Sequence, residues 1–193
     1  MIEGELVRLR ALRAEDVDAH VRWRNDPEVV YWATGGDPHF GPITRESLER
    51  FHDGRLRQDP RVEAMFTVED LAEGRPIGSV SYRDLDPFAG RATVGILIGE
   101  RDRWGGGYGS EALRLMLGHL FGACRLRRVE LDTWSGNERA IRAFRKAGFV
   151  EEGRRRASVR VGEQWYDSVV FGLLHDEWAE HIAPHRTPSR SGG

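Results

Sequence analysis

Before Ala112, an apolar strand containing Ile96, Leu97 and Ile98 runs into a glycine-dense turn, Trp104-Gly105-Gly106-Gly107-Tyr108-Gly109-Ser110. The turn opens directly into a helix. Glycine admits positive φ and lets a ligand approach the backbone closely. The first amides of a helix have no internal partner and sit at the positive end of its dipole. Together these features make an anion site, above all for phosphate. A nucleoside-triphosphate loop needs Gly-x-x-x-x-Gly-Lys-Ser/Thr, and no lysine lies in this turn. A dinucleotide fold needs Gly-x-Gly-x-x-Gly early in a βαβ unit, with an acid about 20 residues further on. Here the spacing is Gly105-x-Gly107-x-Gly109, in mid-chain and after a hairpin. Two readings remain: another phosphate ligand, or a tight turn that needs small residues for packing.

The elements that must carry this turn follow from periodicity. Residues 6–10 read as a first strand, and 14–24 as a helix with Val17 and Val21 on one face. Asp26-Pro27-Glu28 is a helix start, with a capping acid and then proline at the first helical position. Residues 31–42, with Gly35, Gly36, Pro38 and Gly41, read as a loop. Thr44 caps a further helix with Leu48 and Phe51 on its buried side. Val62, Ala64, Phe66 and Val68 alternate as in a half-buried strand. Glu73-Gly74 then turns the chain into a hairpin partner over 76–83, and 84–90 is a second turn. Residues 92–98 are nearly all apolar, as in a central strand covered on both faces. From 108 to about 124, Leu113, Met116, Leu117, Leu120 and Phe121 form an amphipathic helical stripe. A strand over 127–133 and a helix over 137–147, ended by Gly148, come next. Residues 149–160 and 164–174 close the chain as a hairpin around Gly162. This order predicts an α/β (α+β) fold: one mixed, mostly antiparallel twisted sheet flanked by helices.

The 193 residues suit a single domain, read as 1–183 with a loose tail over 184–193. A net charge of −2 leaves no electrostatic footprint for nucleic acid or an anionic membrane. Arg154-Arg155-Arg156 reads as a solvated face. The chain contains one cysteine, no apolar run of membrane-spanning length and no signal-like N-terminus, which predicts a cytoplasmic protein. Cys124 follows His119 by five residues, off the i+4 face, so a cysteine nucleophile is not expected. No His, Cys or acid cluster has metal-site spacing. Trp23, Asp26, Glu28, Tyr31 and Trp32 combine aromatic walls with acids, which suits a cationic amine. They also read as core packing and capping.

A second segment joins the first: Asn137-Glu138-Arg139-Ala140-Ile141-Arg142-Ala143-Phe144-Arg145-Lys146-Ala147-Gly148-Phe149. With the glycine turn, it resembles the GNAT superfamily of acyl-CoA-dependent N-acyltransferases. That family carries Arg/Gln-x-x-Gly-x-Gly/Ala, often extended as Gly-Tyr-Gly-Thr/Ser-Glu-Ala, and a later Asn-x-x-Ala-x-x-Phe/Tyr-x-x-x-Gly-Phe. The chain matches both, except that Trp104 replaces the Arg or Gln. Leu9-Arg10 through Asp16, Trp23 to Val29, and the stretch 166–178 resemble the branch that includes ribosomal-protein N-terminal acetyltransferases.

The resemblance implies central strands that splay apart to admit a thioester, and acetyl-CoA as co-substrate. Trp104, Gly105, Gly106, Gly107, Tyr108, Gly109 and Ser110 would hold the pyrophosphate. Strand-edge groups of Ile96, Leu97 and Ile98 would pair with the pantetheine amides, as an added strand does. Asn137 would bond the pantetheine arm or simply cap its helix, and Ala140 and Phe144 would line the channel. Arg145 or Lys146 would meet the 3′-phosphate or face solvent. A neutral amine attacks the thioester, so a proton acceptor is useful. The chain departs from the family at Phe144, where a proton-donating Tyr is usual, and at Thr93, where a Glu is frequent. Ala140 stands where the ribosomal branch has a Ser. Ser135, Glu100 and Asp132 are therefore the relay candidates, beside ordered water. The acceptor side is expected at Trp23, Asp26, Tyr31 and Trp32. The activity implied is N-acetyl transfer to a small-molecule or peptide amine, polyamines and aminoglycosides included. A non-catalytic acyl-CoA-binding module is the alternative, and a homodimer is compatible with either.

Overall fold

The computed structural model describes residues 1–182, so the expected tail over 184–193 lies outside the described residues. Eight strands form one sheet: β1 (Ile2–Glu3), β2 (Val7–Ala11), β3 (Ala64–Asp70), β4 (Pro76–Asp86), β5 (Arg91–Ile98), β6 (Arg128–Trp134), β7 (Val150–Val161) and β8 (Gln164–Leu174). Their order across the sheet is β1-β2-β3-β4-β5-β6-β8-β7. Every neighbouring pair is antiparallel except β5 and β6, which run parallel. The mixed, mostly antiparallel sheet expected from the sequence is the one observed.

Six helices flank it: α1 (Val17–Asn25, after a 3-10 turn at Ala14–Asp16), α2 (Pro27–Thr34), α3 (Arg45–Leu56), α4 (Tyr108–Gly118), α5 (Glu138–Lys146) and α6 (His175–Ile182). Successive residues of a strand face opposite sides of the sheet, and β5 uses both. Ile96 and Ile98 pack into the main core with Leu113 and Met116 of α4 and Phe144 of α5. Leu97 packs on a second cluster made by Ala19, Trp23 and Val29 of α1 and α2. That division explains the nearly continuous apolar run that marked this strand.

Two local expectations change. The loop expected from residue 31 begins only after α2, because Asp26 caps that helix through the Glu28 and Val29 amides and Gly35, with φ of 74°, ends it. The long central helix widens into a π-helical turn over His119–Ala123. A π turn brings i and i+5 together. Cys124 Sγ accordingly lies 3.7 Å from His119 Nε2, which overturns the argument that the two residues sit on different faces. Burial raises the thiol pKa and lowers that of the imidazole, so the contact is between neutral groups.

A buried polar knot ties α1 to the sheet. The Asp16 carboxylate accepts from both terminal Arg10 nitrogens at 2.9 and 2.8 Å, from Thr67 Oγ1 at 2.7 Å and from the Arg13 amide. Arg10 also pairs with Glu69. Burial alone would raise the Asp16 pKa, but Arg10, Thr67 and the Arg13 amide hold it below the usual carboxylate value. Arg10 and Asp16, which carried part of the sequence resemblance, are thus structural residues.

Candidate active site

The ladder between β5 and β6 is short. Only Arg91↔Arg128, Ala92↔Val129 and Thr93↔Glu130 are paired, and beyond them the strands separate. The far edge of β5 over 94–98 therefore has no strand beside it. A buried strand edge with unused amides and carbonyls is a place for an extended ligand to add as a strand. A cavity of about 430 Å³ fills the gap, with Ile96, Leu97 and Ile98 on one wall and Leu131, Asp132 and Thr133 of β6 on the other.

The glycine turn closes one end of this cavity. Gly105 and Gly107 have φ of 79° and 89°, the left-handed region that side chains rarely adopt, and these angles swing the chain from β5 into α4. Side chains cap α2, α3 and α5: Asp26, Thr44 and Asn137 respectively. The α4 N-cap is Gly107, which offers no side chain, so the first amides of that helix remain open. Gly105, Gly107, Gly109 and Ser110 line the cavity. Gly106 and Tyr108 do not, and the Tyr108 ring packs against the main core.

Glu111, one turn into α4, anchors this end of the helix. Its carboxylate accepts the backbone amides of Glu5, Leu6 and Val7 at 2.8, 2.7 and 2.9 Å. Burial by itself raises its pKa, but the three amides and Arg114 bring the carboxyl below its ordinary value.

Trp104 lines the cavity as well. Its indole N–H donates to the Ile98 carbonyl at 2.8 Å, so that edge carbonyl is already used. The Arg139 guanidinium lies 4.0 Å from its ring centroid and 5.4 Å from that of Trp32. Burial lowers the Arg139 pKa from its ordinary value, and no ion pair holds this side chain among the described residues. Sequence reasoning missed Arg139, which reads as an ordinary helix surface charge. Where the motif has an Arg or Gln at position 104, this chain has Trp104, and the Arg139 guanidinium of α5 lies beside it on the cavity wall.

Asn137, Ala140 and Phe144 line the same cavity from α5. Asn137 is buried and engaged twice: its Oδ1 accepts the Ala140 amide at 3.2 Å, and its Nδ2 donates to the Trp32 carbonyl at 2.7 Å. It therefore caps its own helix and ties α5 to α2. Phe144 also packs on Phe171 in the core, so the site's inner wall is the core itself.

The relay candidates are dispersed. Ser135 lines neither this cavity nor a neighbouring one, and its Oγ accepts the Asp167 amide at 3.2 Å. Glu100 is also outside, accepting from Trp23 Nε1 and Arg22 at 2.9 Å each and pairing with Arg75 at 3.3 Å. Asp132 is the one carboxylate on the cavity wall among the described residues, with Ser168 Oγ donating to it at 3.2 Å.

The expected acceptor residues divide similarly. Trp32 lines the cavity from the α2 side, while Tyr31 packs edge-on against Trp134 outside it. Asp26 is spent on its cap and lies 3.8 Å from Arg101, which also pairs with Glu28. Trp23 lines a second cavity of about 340 Å³ on the α1 and α3 side of β5. The two cavities share Ala33, Arg83 and the strand residues Gly95, Ile96 and Leu97, so they meet across the middle of β5.

No group of three or more metal-ligating side chains occurs among the described residues, and no helix there is long and apolar enough to cross a membrane. Residues 7–150 match the family described as acetyltransferase (GNAT) domain. The chain is 26% identical over 180 residues to the uncharacterized N-acetyltransferase p20 of Bacillus licheniformis, covering 91% of this chain and 96% of that protein. It is 25% identical over 192 residues to the spermidine N(1)-acetyltransferase of Escherichia coli K12, covering 99% and 96%. The crystal structure of spermidine N-acetyltransferase from Vibrio cholerae, in complex with CoA and spermine, superposes with a TM-score of 0.80 at 21% identity, over 91% of this chain and 99% of that one.

Proposed function

The chain belongs to the acetyltransferase (GNAT) domain family, and on that premise we propose that the β5–β6 cavity is where it takes acetyl-CoA and transfers the acetyl group to an amine. The observation that carries this assignment of the site is the open strand edge lying against an uncapped helix start. One surface thus offers amide partners for an extended arm and anion donors for phosphates. Acetyl-CoA, when bound, supplies an acyl group activated as a thioester. The chain's own residues hold and orient it. The amides of Gly107, Gly109 and Ser110 face the pyrophosphate, with Arg139, which has no ion pair among the described residues, nearby. Free groups of Ile96 and Leu97 pair with the arm, while Ala140 and Phe144 exclude water from the inner end.

The acceptor nitrogen must arrive uncharged, because only its lone pair is nucleophilic, and ordinary amines are protonated near neutral pH. Asp132 is the group we assign to take that proton, directly or through one water. It stands on the cavity wall near Arg83, one of the residues the two cavities share. Phe144 donates no proton, so the leaving thiol obtains its own from solvent or departs as thiolate. The N-terminal resemblance to the ribosomal-protein branch favours an α-amine, on a peptide or a small molecule, as the acceptor.

Two measurements test this reading. Titration calorimetry should show CoA binding, and release of CoA thiol from acetyl-CoA should depend on an added amine. Asp132→Asn should lower kcat by about a hundredfold, the usual contribution of a general base, while leaving the CoA dissociation constant unchanged. CoA binding without thiol release for any amine would instead support a non-catalytic binding module.

A further inference from the structure

The second cavity carries chemistry of its own. It lies on the opposite side of β5 from α4, and its wall includes Trp23, Phe40, Phe51 and Met65. No carboxylate lines it among the described residues. Its charged groups are Arg24 and Arg83. Arg83 lies 3.5 Å from Asp84 and 4.0 Å from Asp132. Arg24 has no acidic partner among the described residues. It is half-buried, stacks on Phe40 at 4.5 Å and donates to the carbonyls of Phe40 and His39. A guanidinium carries five donors, and carbonyls neutralise none of its charge.

A second, independent feature points the same way. His20 is i−4 to Arg24 on α1, hence on the same face, and it also lines the cavity. The ring is 5% exposed. Its Nδ1 lies 3.1 Å from His52 Nε2, and neither its own Nε2 nor His52 Nδ1 has a partner among the described residues. A buried polar nitrogen without a partner costs stability, and the ring that carries it forms part of the cavity wall beside Arg24. Burial, then His52 and Arg24, push His20 down to about 4, so the ring is neutral and holds one proton.

We infer that the second cavity binds a carboxylate on Arg24, beside the His20 ring, so that the acceptor is an amine carrying a carboxylate and an apolar body, not a polycation. This rests on the assignment of the β5–β6 cavity to acetyl-CoA, since the two cavities meet at Gly95, Ile96 and Leu97 and an amine entering from the second would reach the strand there. The acids that suggested a cationic acceptor are unavailable to one: Asp26 and Glu28 are paired with Arg101, and Glu100 is held by Trp23, Arg22 and Arg75. Three cationic groups of a polyamine would meet Arg24 and Arg83 with no compensating charge in this cavity.

Matched amines that differ only by the carboxylate test the inference with the full chain: phenylalanine against phenethylamine, and methionine against 3-(methylthio)propylamine, with spermidine and kanamycin as polycations. Thiol release should give each amino acid a kcat/KM about tenfold or more above its decarboxylated partner, the fold-change of one charge-assisted hydrogen bond. Arg24→Gln should flatten that ratio and Arg24→Lys should keep part of it, with circular dichroism confirming that both fold. Equal rates within each pair would overturn the inference. So would spermidine or kanamycin as the best acceptor, or CoA binding with no turnover of any amine in the set. Failure of CoA itself to bind would overturn the acetyl-CoA reading instead, which separates the two.

Discussion

Removing Glu111 should be the most damaging single change at the start of α4. Its two carboxylate oxygens serve three backbone amides from residues more than one hundred positions earlier in the chain. In Glu111→Ala the Val7 amide is left inside the core, where an unmade hydrogen bond costs about 1–3 kcal/mol. Glu5 and Leu6 are exposed, so their amides recover part of their loss from water. The total is about 3–5 kcal/mol, or a fall in Tm of about 6–20 °C for a chain of this size. Glu111→Gln keeps one acceptor oxygen and should lose about half as much. Because the folded pKa is depressed, the wild-type carboxylate gives its full stabilisation above the unfolded value of about 4.3 and loses it as pH falls through the folded value. The Gln variant should therefore show a flatter Tm against pH at the acid end. Thermal melts across pH, with amide exchange read at Val7, are the assay. A Glu111→Ala protein within about 1 kcal/mol of wild type, with Val7 still protected, would refute the reasoning.

Three further outcomes are expected. Gly107→Val forces a β-branched residue to φ of 89° and should weaken CoA binding about tenfold or more, by calorimetry, while the sheet's circular dichroism is kept. Arg139→Ala should weaken CoA binding about threefold to tenfold, and the loss should shrink at high salt, because the residue acts as an unpaired cation. The buried His20–His52 pair is held neutral by burial, with both pKa values below the ordinary 6.5. Each favours the folded state above the unfolded pKa and loses that contribution as pH falls, so Tm should drop between about pH 6.5 and 4, and less so in a His20→Gln, His52→Gln protein.

What the sequence makes legible is local. Gly105 to Ser110 and Asn137 to Phe144 are each written in one continuous stretch, and so is the capping of α2 by Asp26. The turn's positive φ follows from glycine itself, and the two-sided burial of β5 follows from its nearly continuous apolar run. What escapes is pairing at a distance. Nothing in a first-turn glutamate says that its partners are the amides of residues 5–7. His20 and His52 are 32 positions apart, and Arg139 looks solvated until Trp32 and Trp104 are brought to either side of it. Ser135 and Glu100 are near the motifs in sequence, yet the Asp167 amide and the Trp23 indole hold them outside the cavity. The π turn is invisible to a 3.6-residue period, which is why Cys124 and His119 meet unannounced.

The brevity of the β5–β6 ladder has an engineering meaning. Strands β1 to β5 come from residues 2–98 and strands β6 to β8 from residues 128–174, so the sheet is two consecutive pieces of chain joined at three register positions. Only the 29 residues between them cross the joint once, by way of α4. The molecule resembles a tile scored down the middle, with the score line serving as the workplace. Any occupant of that line is a shim between the pieces, and its free energy of binding is felt as resistance to prying them apart. A chain severed near Arg125 would be a natural split reporter, one whose halves answer to the ligand before they answer to each other.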